Sequence, residues 1–186
     1  MKRQGLSKLF TTGVLATGLL AVSSAASAQD IFLKIDKVTG ESADSKHKGA
    51  IDIMSWSWGA STGTGRTARG QQPASCVQDL HVAKATDSSS PELIMNSVTG
   101  EVAQEAVLTV RKSGGDQQEF LTLTMKNVTV VSFQLSGSDG SGQLPTEQVS
   151  LHFETMTGAY RKQKPDGSLE PAITWDITGG NAACQR

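Results

Sequence analysis

Residues 121–126 read LTLTMK, so that Leu121, Leu123 and Met125 lie on one side of an extended chain and polar residues lie on the other. An apolar residue at every second position is typical of a β-strand with one buried face. The same period recurs in both directions along the chain, in short blocks separated by glycine, serine, aspartate and proline. The sequence therefore predicts about eight strands, at 31–36, 51–58, 77–83, 107–110, 121–126, 128–135, 149–154 and 172–177.

One helix is predicted among these strands. Ser90 suits the position that caps a helix, Pro91 the first helical position and Glu92 the first turn, and Gly100 is placed to end the helix. Many short strands with a single helix favour a mainly β fold, which would be a closed barrel or a sandwich with the helix on one face.

The first 28 residues have the pattern of a secretion signal. Three cations and no acid precede Asp30, an apolar run occupies 9–22, and Ala26 and Ala28 form an A-x-A cleavage site. The run is shorter than the roughly 20 apolar residues of a membrane helix. We therefore predict a cleaved signal peptide at 1–28 and a single mature domain at 29–186.

Charge and cysteine content restrict the possible partners and compartment. Removing the three cations of the signal from the 17 lysines and arginines leaves 14 against 18 acids, a net charge of −4. A mildly acidic exported protein is a poor candidate for binding nucleic acid, or a membrane once the signal is cleaved. In an oxidising compartment Cys76 and Cys184 become disulfide candidates. An internal bond, a bond between subunits and free thiols all remain open.

No residue pattern in the sequence indicates catalysis, a metal site or a cofactor. His47 lies in a polar stretch, and His81 and His152 fall on the polar sides of their predicted strands. The metal-binding pairings H-x-H, H-E-x-x-H and C-x-x-C do not occur. Gly63 and Gly65 begin a G-x-G-x-x-A pattern, but the helix that phosphate binding requires is not predicted after it. We expect a protein that is not an enzyme and uses neither metal nor cofactor.

The tryptophans stand out because only 5% of the chain is aromatic. Trp56 and Trp58 share one side of a predicted strand with Met54, and Ser55 and Ser57 occupy the other side. Large aromatic side chains at such positions favour a core or a protein interface, and the same interpretation is given to Trp175 in the last strand. The alternative is a monomeric secreted domain that binds a glycan or a cell-surface partner through Trp56, Trp58 or its loops.

A series of distinctive segments follows in order along the mature chain: 30–35 (DIFLKI), 40–42 (GES), 51–59 (IDIMSWSWG), 77–80 (VQDL), 87–91 (DSSSP), 108–112 (LTVRK), 114–115 (GG), 147–151 (EQVSL), Tyr160 and 164–167 (KPDG). In these segments the sequence resembles the Hcp family, the haemolysin-coregulated proteins that form the tube of the bacterial type VI secretion apparatus.

The resemblance implies a mainly β fold, a β-barrel of two sheets with one α-helix on its side. It further implies a non-enzymatic subunit that assembles with itself, as a hexameric ring, into stacked tubes that carry effector proteins in their lumen. The family's inter-ring loop corresponds to 60–75, so the inter-ring candidates are Gly63, Gly65, Arg66, Arg69 and Gly70.

Two features depart from the family pattern. Tube subunits ordinarily assemble in the cytoplasm, whereas a cleaved signal would take this subunit alone across the inner membrane, so that it is secreted through the periplasm. The two cysteines also suit a location outside the cytoplasm. These departures predict an exported Hcp-like ring or tube protein, with disulfides that could lock the rings.

Overall fold

A computed structural model describes residues 29–62, 75–113, 117–139, 142 and 144–178. The elements in this part of the chain are β1 (Gln29–Ile35), β2 (Ile51–Asp52), β3 (Ser55–Ser57), β4 (Ala60–Thr62), β5 (Ser75–Val77), β6 (Leu80–Ala85), α1 (Ser90–Thr99), β7 (Val102–Lys112), β8 (Glu119–Ser136), β9 (Thr146–His152), β10 (Thr155–Tyr160) and β11 (Ile173–Thr178). The predicted mainly β fold with one helix is confirmed.

Nine strands form one antiparallel sheet that wraps around the core. Its order is β2-β1-β7-β8-β9-β6-β3, with β10 and then β11 added to the proximal part of β8. No continuous ladder closes the sheet within the described ranges, but the chain between β2 and β3 links its two ends. Ile53 donates its backbone N–H to Ile31, and Met54 donates its own to Ala83, at 2.9 and 2.8 Å. A second, two-stranded sheet consists of β4 and β5.

The sheet forks at the middle of β8. Residues 121–126 pair with β10, whereas 129–136 pair with β9. Between the two stretches, Asn127 takes a φ of 51°, a conformation that asparagine tolerates better than most residues. The sequence predicts two strands here, and the structure contains one 18-residue strand that changes partner at Asn127.

The strand β10 was not predicted, because Gly158 interrupts its apolar pattern. In the structure the indole of Trp175 in β11 covers this glycine, and a Cβ at position 158 would lie 2.1 Å from two of its ring carbons. The missing side chain of one strand is therefore replaced by a large side chain from the next strand. The core beneath includes Leu33, Ile51, Leu80, Leu108, Leu123, Met125, Leu151, Phe153 and Met156.

The helix α1 occupies the predicted place with its start shifted by one residue. Ser89, not Ser90, is the capping residue, and Gly100 ends the helix with a φ of 70°. The Ser90 hydroxyl instead accepts hydrogen bonds from Lys84 and from the Asp87 backbone. Within the described residues, no helix has the length and apolarity needed to cross a membrane.

Candidate functional site

A buried ion cluster joins β6, β9 and the start of α1. Lys84 is 0% exposed and Glu147 is 1% exposed. The Lys84 Nζ lies 2.6 Å from Glu147 Oε2, 2.8 Å from Asp87 Oδ1 and 3.2 Å from Ser90 Oγ. Burial raises the pKa of Asp87, but hydrogen bonds from Lys84 and Ser89 outweigh it and hold that pKa below its usual value. This cluster was not predicted from the sequence. The signal was present, because Lys84 and Glu147 each lie two residues from a buried residue and so share the buried side of their strands.

The outward face of β3, β6, β8 and β9 forms a shallow depression of about 480 Å³. Its polar lining consists of hydroxyl, amide and imidazole side chains, and Asp, Glu, Lys and Arg are absent from its described lining. The polar lining residues are Ser55, Ser57, His81, Ser132, Gln134, Gln148 and Ser150. Such a surface offers hydrogen bonds without a strong field, which suits a broad contact better than a reaction centre.

Two histidine pairs lie on β6 and β9 without forming a catalytic triad. His81 Nδ1 is 2.8 Å from Ser150 Oγ, and His152 Nδ1 is 2.9 Å from Asp79 Oδ1. A serine nucleophile needs a histidine that is itself oriented by an acid. Here the acid binds the other histidine, and no carboxylate contacts His81 in the described part of the chain.

The sequence does contain one pattern associated with catalysis that the prediction above missed: residues 59–63 read GASTG and match the G-x-S-x-G pattern of hydrolase nucleophiles. In those enzymes the serine sits on a sharp turn between a strand and a helix. Ser61 instead lies within β4, directly opposite Cys76 of β5. The local geometry is therefore that of a paired strand and not of a nucleophile turn.

The predicted aromatic residues lie half-buried on two separate parts of the sheet. Trp56 and Trp58 pack against the core next to β6, and Trp175 packs against it from β11. Met54, predicted on the same face as Trp56, is exposed, because the chain bends between β2 and β3. The structure thus separates Met54 from the two tryptophans.

The predicted cysteine and loop residues are only partly described. Cys76 lies in β5, and no cysteine of the described chain is a free thiol. Cys184 lies outside the described residues, so its pairing with Cys76 stays a prediction. The inter-ring candidates Gly63, Gly65, Arg66, Arg69 and Gly70 also lie outside the described residues.

A second ionic cluster is built around Arg111 of β7. Its guanidinium binds Asp30 through Nε and Nη2 at 3.1 and 3.0 Å and binds Asp44 at 2.6 Å. It also lies over the Phe32 ring, 4.8 Å from the centroid, and His47 stacks on the same ring. The hydrogen bond from Arg111, helped by backbone N–H groups and opposed by burial, lowers the pKa of Asp44 to about 2.

This lowered pKa predicts a specific loss of stability in acid. Because the pKa of Asp44 is lower in the folded than in the unfolded chain, its contribution is complete above about pH 4 and disappears as the pH falls through about 2. We expect Asp44→Asn to be less stable than the native chain at neutral pH and the difference to shrink towards pH 2. Urea unfolding of both proteins across this range measures it, and a difference that is independent of pH would contradict the assignment.

Comparisons with known proteins agree with the fold. The family model described as "Type VI secretion system effector, Hcp" matches residues 32–160. The Protein hcp1 of Pseudomonas aeruginosa is 42% identical over 146 residues, which are 77% of this chain and 90% of that protein. Hcp1 of Salmonella typhimurium superposes with a TM-score of 0.65 at 32% identity, over 81% of this chain and 94% of that one. A structure described as a type six secretion system protein gives a TM-score of 0.74 at 29% identity, over 81% and 96%.

The fold and its surface define a mainly β domain with an uncharged polar face. The chain belongs to the Hcp family, the tube and ring proteins of type VI secretion. Proteins of this family are structural components that form oligomeric rings and are secreted.

Proposed function

We propose that this protein assembles into hexameric rings, that the rings stack, and that their lumen carries effector proteins. The observation that carries the proposal is a four-stranded section of sheet, β8-β9-β6-β3, in which the outer strands β8 and β3 each leave part of one edge without a partner strand, although α1 contacts β8. In the described structure β3 is paired only with β6, and the ladder between β7 and β8 ends at Thr129, so that 130–136 of β8 pair only with β9.

Strand edges of this kind readily accept further strands, because their backbone N–H and C=O groups lack partners. The two edges differ in sequence, and contact between different surfaces of identical subunits closes a ring when the rotation between subunits permits. Exposed apolar side chains accompany both edges, Met54 beside β3 and Val131 and Leu135 on β8. Their burial against the next subunit supports a stable contact.

The uncharged polar face between these edges supports a lumenal role. It presents hydroxyl, amide and imidazole groups from the four strands β3, β6, β8 and β9, and its described lining contains no Asp, Glu, Lys or Arg side chain. A wall of this composition hydrogen-bonds to polar protein surfaces without selecting for one sign of charge. We therefore assign this face to the lumen and to contact with effector proteins.

Export is the second part of the proposal. Residues 1–28 are removed as a signal peptide, and the mature chain from Gln29 reaches the periplasm and then the exterior. Cys76 pairs with Cys184 there, either within one chain or between neighbouring subunits. The 60–75 segment, whose ends pair as Thr62 and Ser75 of β4 and β5, contacts an adjacent ring in this proposal.

Native mass spectrometry of protein produced from the full sequence with export tests this function. We expect an N-terminus at Gln29 and a six-subunit mass, and comparison before and after reduction shows whether cysteines hold the ring together. Leu135→Lys is expected to give folded monomers because it places a charge at the β8 edge. The matched control is Met95→Lys on α1, since Met95 is 58% exposed and Leu135 56% exposed, and Met95 belongs to neither strand edge. A strict monomer in both redox states would remove the ring function.

A further inference from the structure

A groove of about 480 Å³ lies beside the start of β1 and is lined by acidic side chains. We define this acidic groove by Asp30, Asp44, Asp52 and Arg111. Arg111 and, after the proposed cleavage, the α-ammonium group of Gln29, which also lines the groove, balance two of the three carboxylates. Asp52 is exposed and forms no ion pair with any described residue, whereas Asp30 and Asp44 share the guanidinium. The groove therefore keeps a net negative charge and attracts a cationic group.

The buried arginine holds two of the three carboxylates of the groove. Arg111 is 3% exposed, and Asp30 and Asp44 accept hydrogen bonds from its Nε and Nη2 atoms. Its Nη1 atom has no hydrogen-bond partner in the described structure and is itself enclosed by protein. Asp52 is thus the exposed carboxylate of the groove, and a suitable occupant brings positively charged groups to it.

The turn between β10 and β11 carries these groups. We define the basic tip as residues 161–164, which read RKQK and are all exposed. Arg161, Lys162 and Lys164 form no ion pairs in the described part of the chain. A strongly hydrogen-bonded turn follows the tip.

This turn holds the basic tip in one conformation. Lys164 donates its backbone N–H to the Ser168 carbonyl at 2.8 Å, and Gln163 donates to the Gly167 carbonyl at 3.0 Å. Asp166 accepts hydrogen bonds from the backbone and hydroxyl of Ser168, which lower its pKa. An ordered turn loses less conformational entropy on binding than a mobile one.

We propose that the acidic groove of one copy binds the basic tip of a second copy. The inference rests on the proposed self-assembly and names a contact within it. No ion pair joins the groove to the tip of its own chain in the described structure, although the tip residue Gln163 accepts a hydrogen bond from Lys112, which follows Arg111 in β7. The charged groups of the groove and the tip thus remain available to a neighbour, and opposite charges on two patches of one subunit orient identical copies relative to each other.

Charge reversal tests the contact on protein produced from the full sequence. Asp52→Lys and Lys162→Glu are each expected to weaken association by roughly tenfold or more, because each sets like charges against each other. The double variant restores the pair in reverse and is expected to associate almost as well as the native chain. Asp139→Lys and Lys34→Glu are matched controls at exposed positions without ion pairs. Sedimentation velocity at several salt concentrations measures association, and circular dichroism checks folding.

The outcomes separate this contact from the ring itself. If the native chain assembles and both single variants assemble equally well, the contact is wrong and the ring stands. If the native chain is monomeric at every concentration, both proposals fall. If the double variant associates no better than the two single losses predict, the pairing of groove and tip is overturned. In that case, a lysine- and arginine-rich peptide that binds the native protein but not Asp52→Lys identifies a different cationic partner for the groove.

Discussion

Replacing Lys84 with methionine is expected to lower the free energy of unfolding by about 3–5 kcal/mol. The substitution removes the only cation that contacts Glu147 in the described structure, and Glu147 Oε1 already lacks a partner there. A fully buried carboxylate without a counter-charge is strongly unfavourable in a low-dielectric interior. Urea unfolding of the oxidised protein at neutral pH measures the loss.

Two further variants test whether the loss of stability in Lys84→Met arises from the burial of the ion pair. Lys84→Met combined with Glu147→Leu removes the fully buried pair and is expected to regain part of the stability, since apolar groups of similar volume replace a buried pair well. Asp87 loses its lysine in this variant but keeps the hydrogen bonds from Ser89. Lys37→Met breaks the ion pair with Glu101, in which both side chains are largely exposed, and should cost about 0–1 kcal/mol. Equal losses for Lys84→Met and Lys37→Met would show that the buried cluster is not important for stability.

Replacing Gly40 with alanine is expected to cost about 3 kcal/mol or more, at the upper end of what overpacking causes. A Cβ at this position would lie 2.3 Å from the Ala50 carbonyl oxygen and 2.8 Å from the Ile51 Cα. Both atoms belong to backbone, which cannot rotate away as a side chain can. Thermal unfolding should show a midpoint lower by roughly 10 °C for a domain of this size.

Gly137→Ala is the control for this substitution. The nearest atoms to its added Cβ belong to the Pro145 ring at 3.8 Å, an ordinary contact, and its backbone is not in the left-handed region. The change is therefore expected to be neutral, or stabilising by up to about 1 kcal/mol because the unfolded chain loses freedom. A midpoint for Gly40→Ala within a degree of that for Gly137→Ala would mean that the 39–50 loop moves aside without cost.

The export proposed above would change how assembly of this family member is controlled. A subunit that crosses the inner membrane alone meets neither the cytoplasmic concentration of its copies nor a reducing environment. Contacts that depend on charge, such as the one proposed between the acidic groove and the basic tip, then vary with the salt outside the cell. Disulfides do not depend on salt, and the two kinds of contact can therefore be separated by measuring assembly in salt and in reductant.

The alternation of apolar residues predicted most of the sheet, but it joined β2 to β3 and the end of β5 to β6 as single strands, and it missed β4 and β10. Leu80 and Val82, or Val149 and Leu151, identify buried faces by their spacing alone. β10 has Gly158 at the position where a large side chain was expected, and only Trp175 on the neighbouring strand completes that surface. Pattern recognition within one strand cannot detect such a contribution, because its cause lies elsewhere in the chain.

The sequence by itself determined the mainly β class, the single helix ending at Gly100 and the resemblance to the Hcp family, because these depend on local period, capping and motif order. Only the tertiary structure decided that β8 changes partner at Asn127 and that Lys84 meets Glu147 inside the core. It also decided that Arg111 gathers two aspartates from separate segments. These features depend on which residues, distant in sequence, the fold brings together. The free energy of a buried charge is set by the groups that surround it in space and not by its neighbours in sequence.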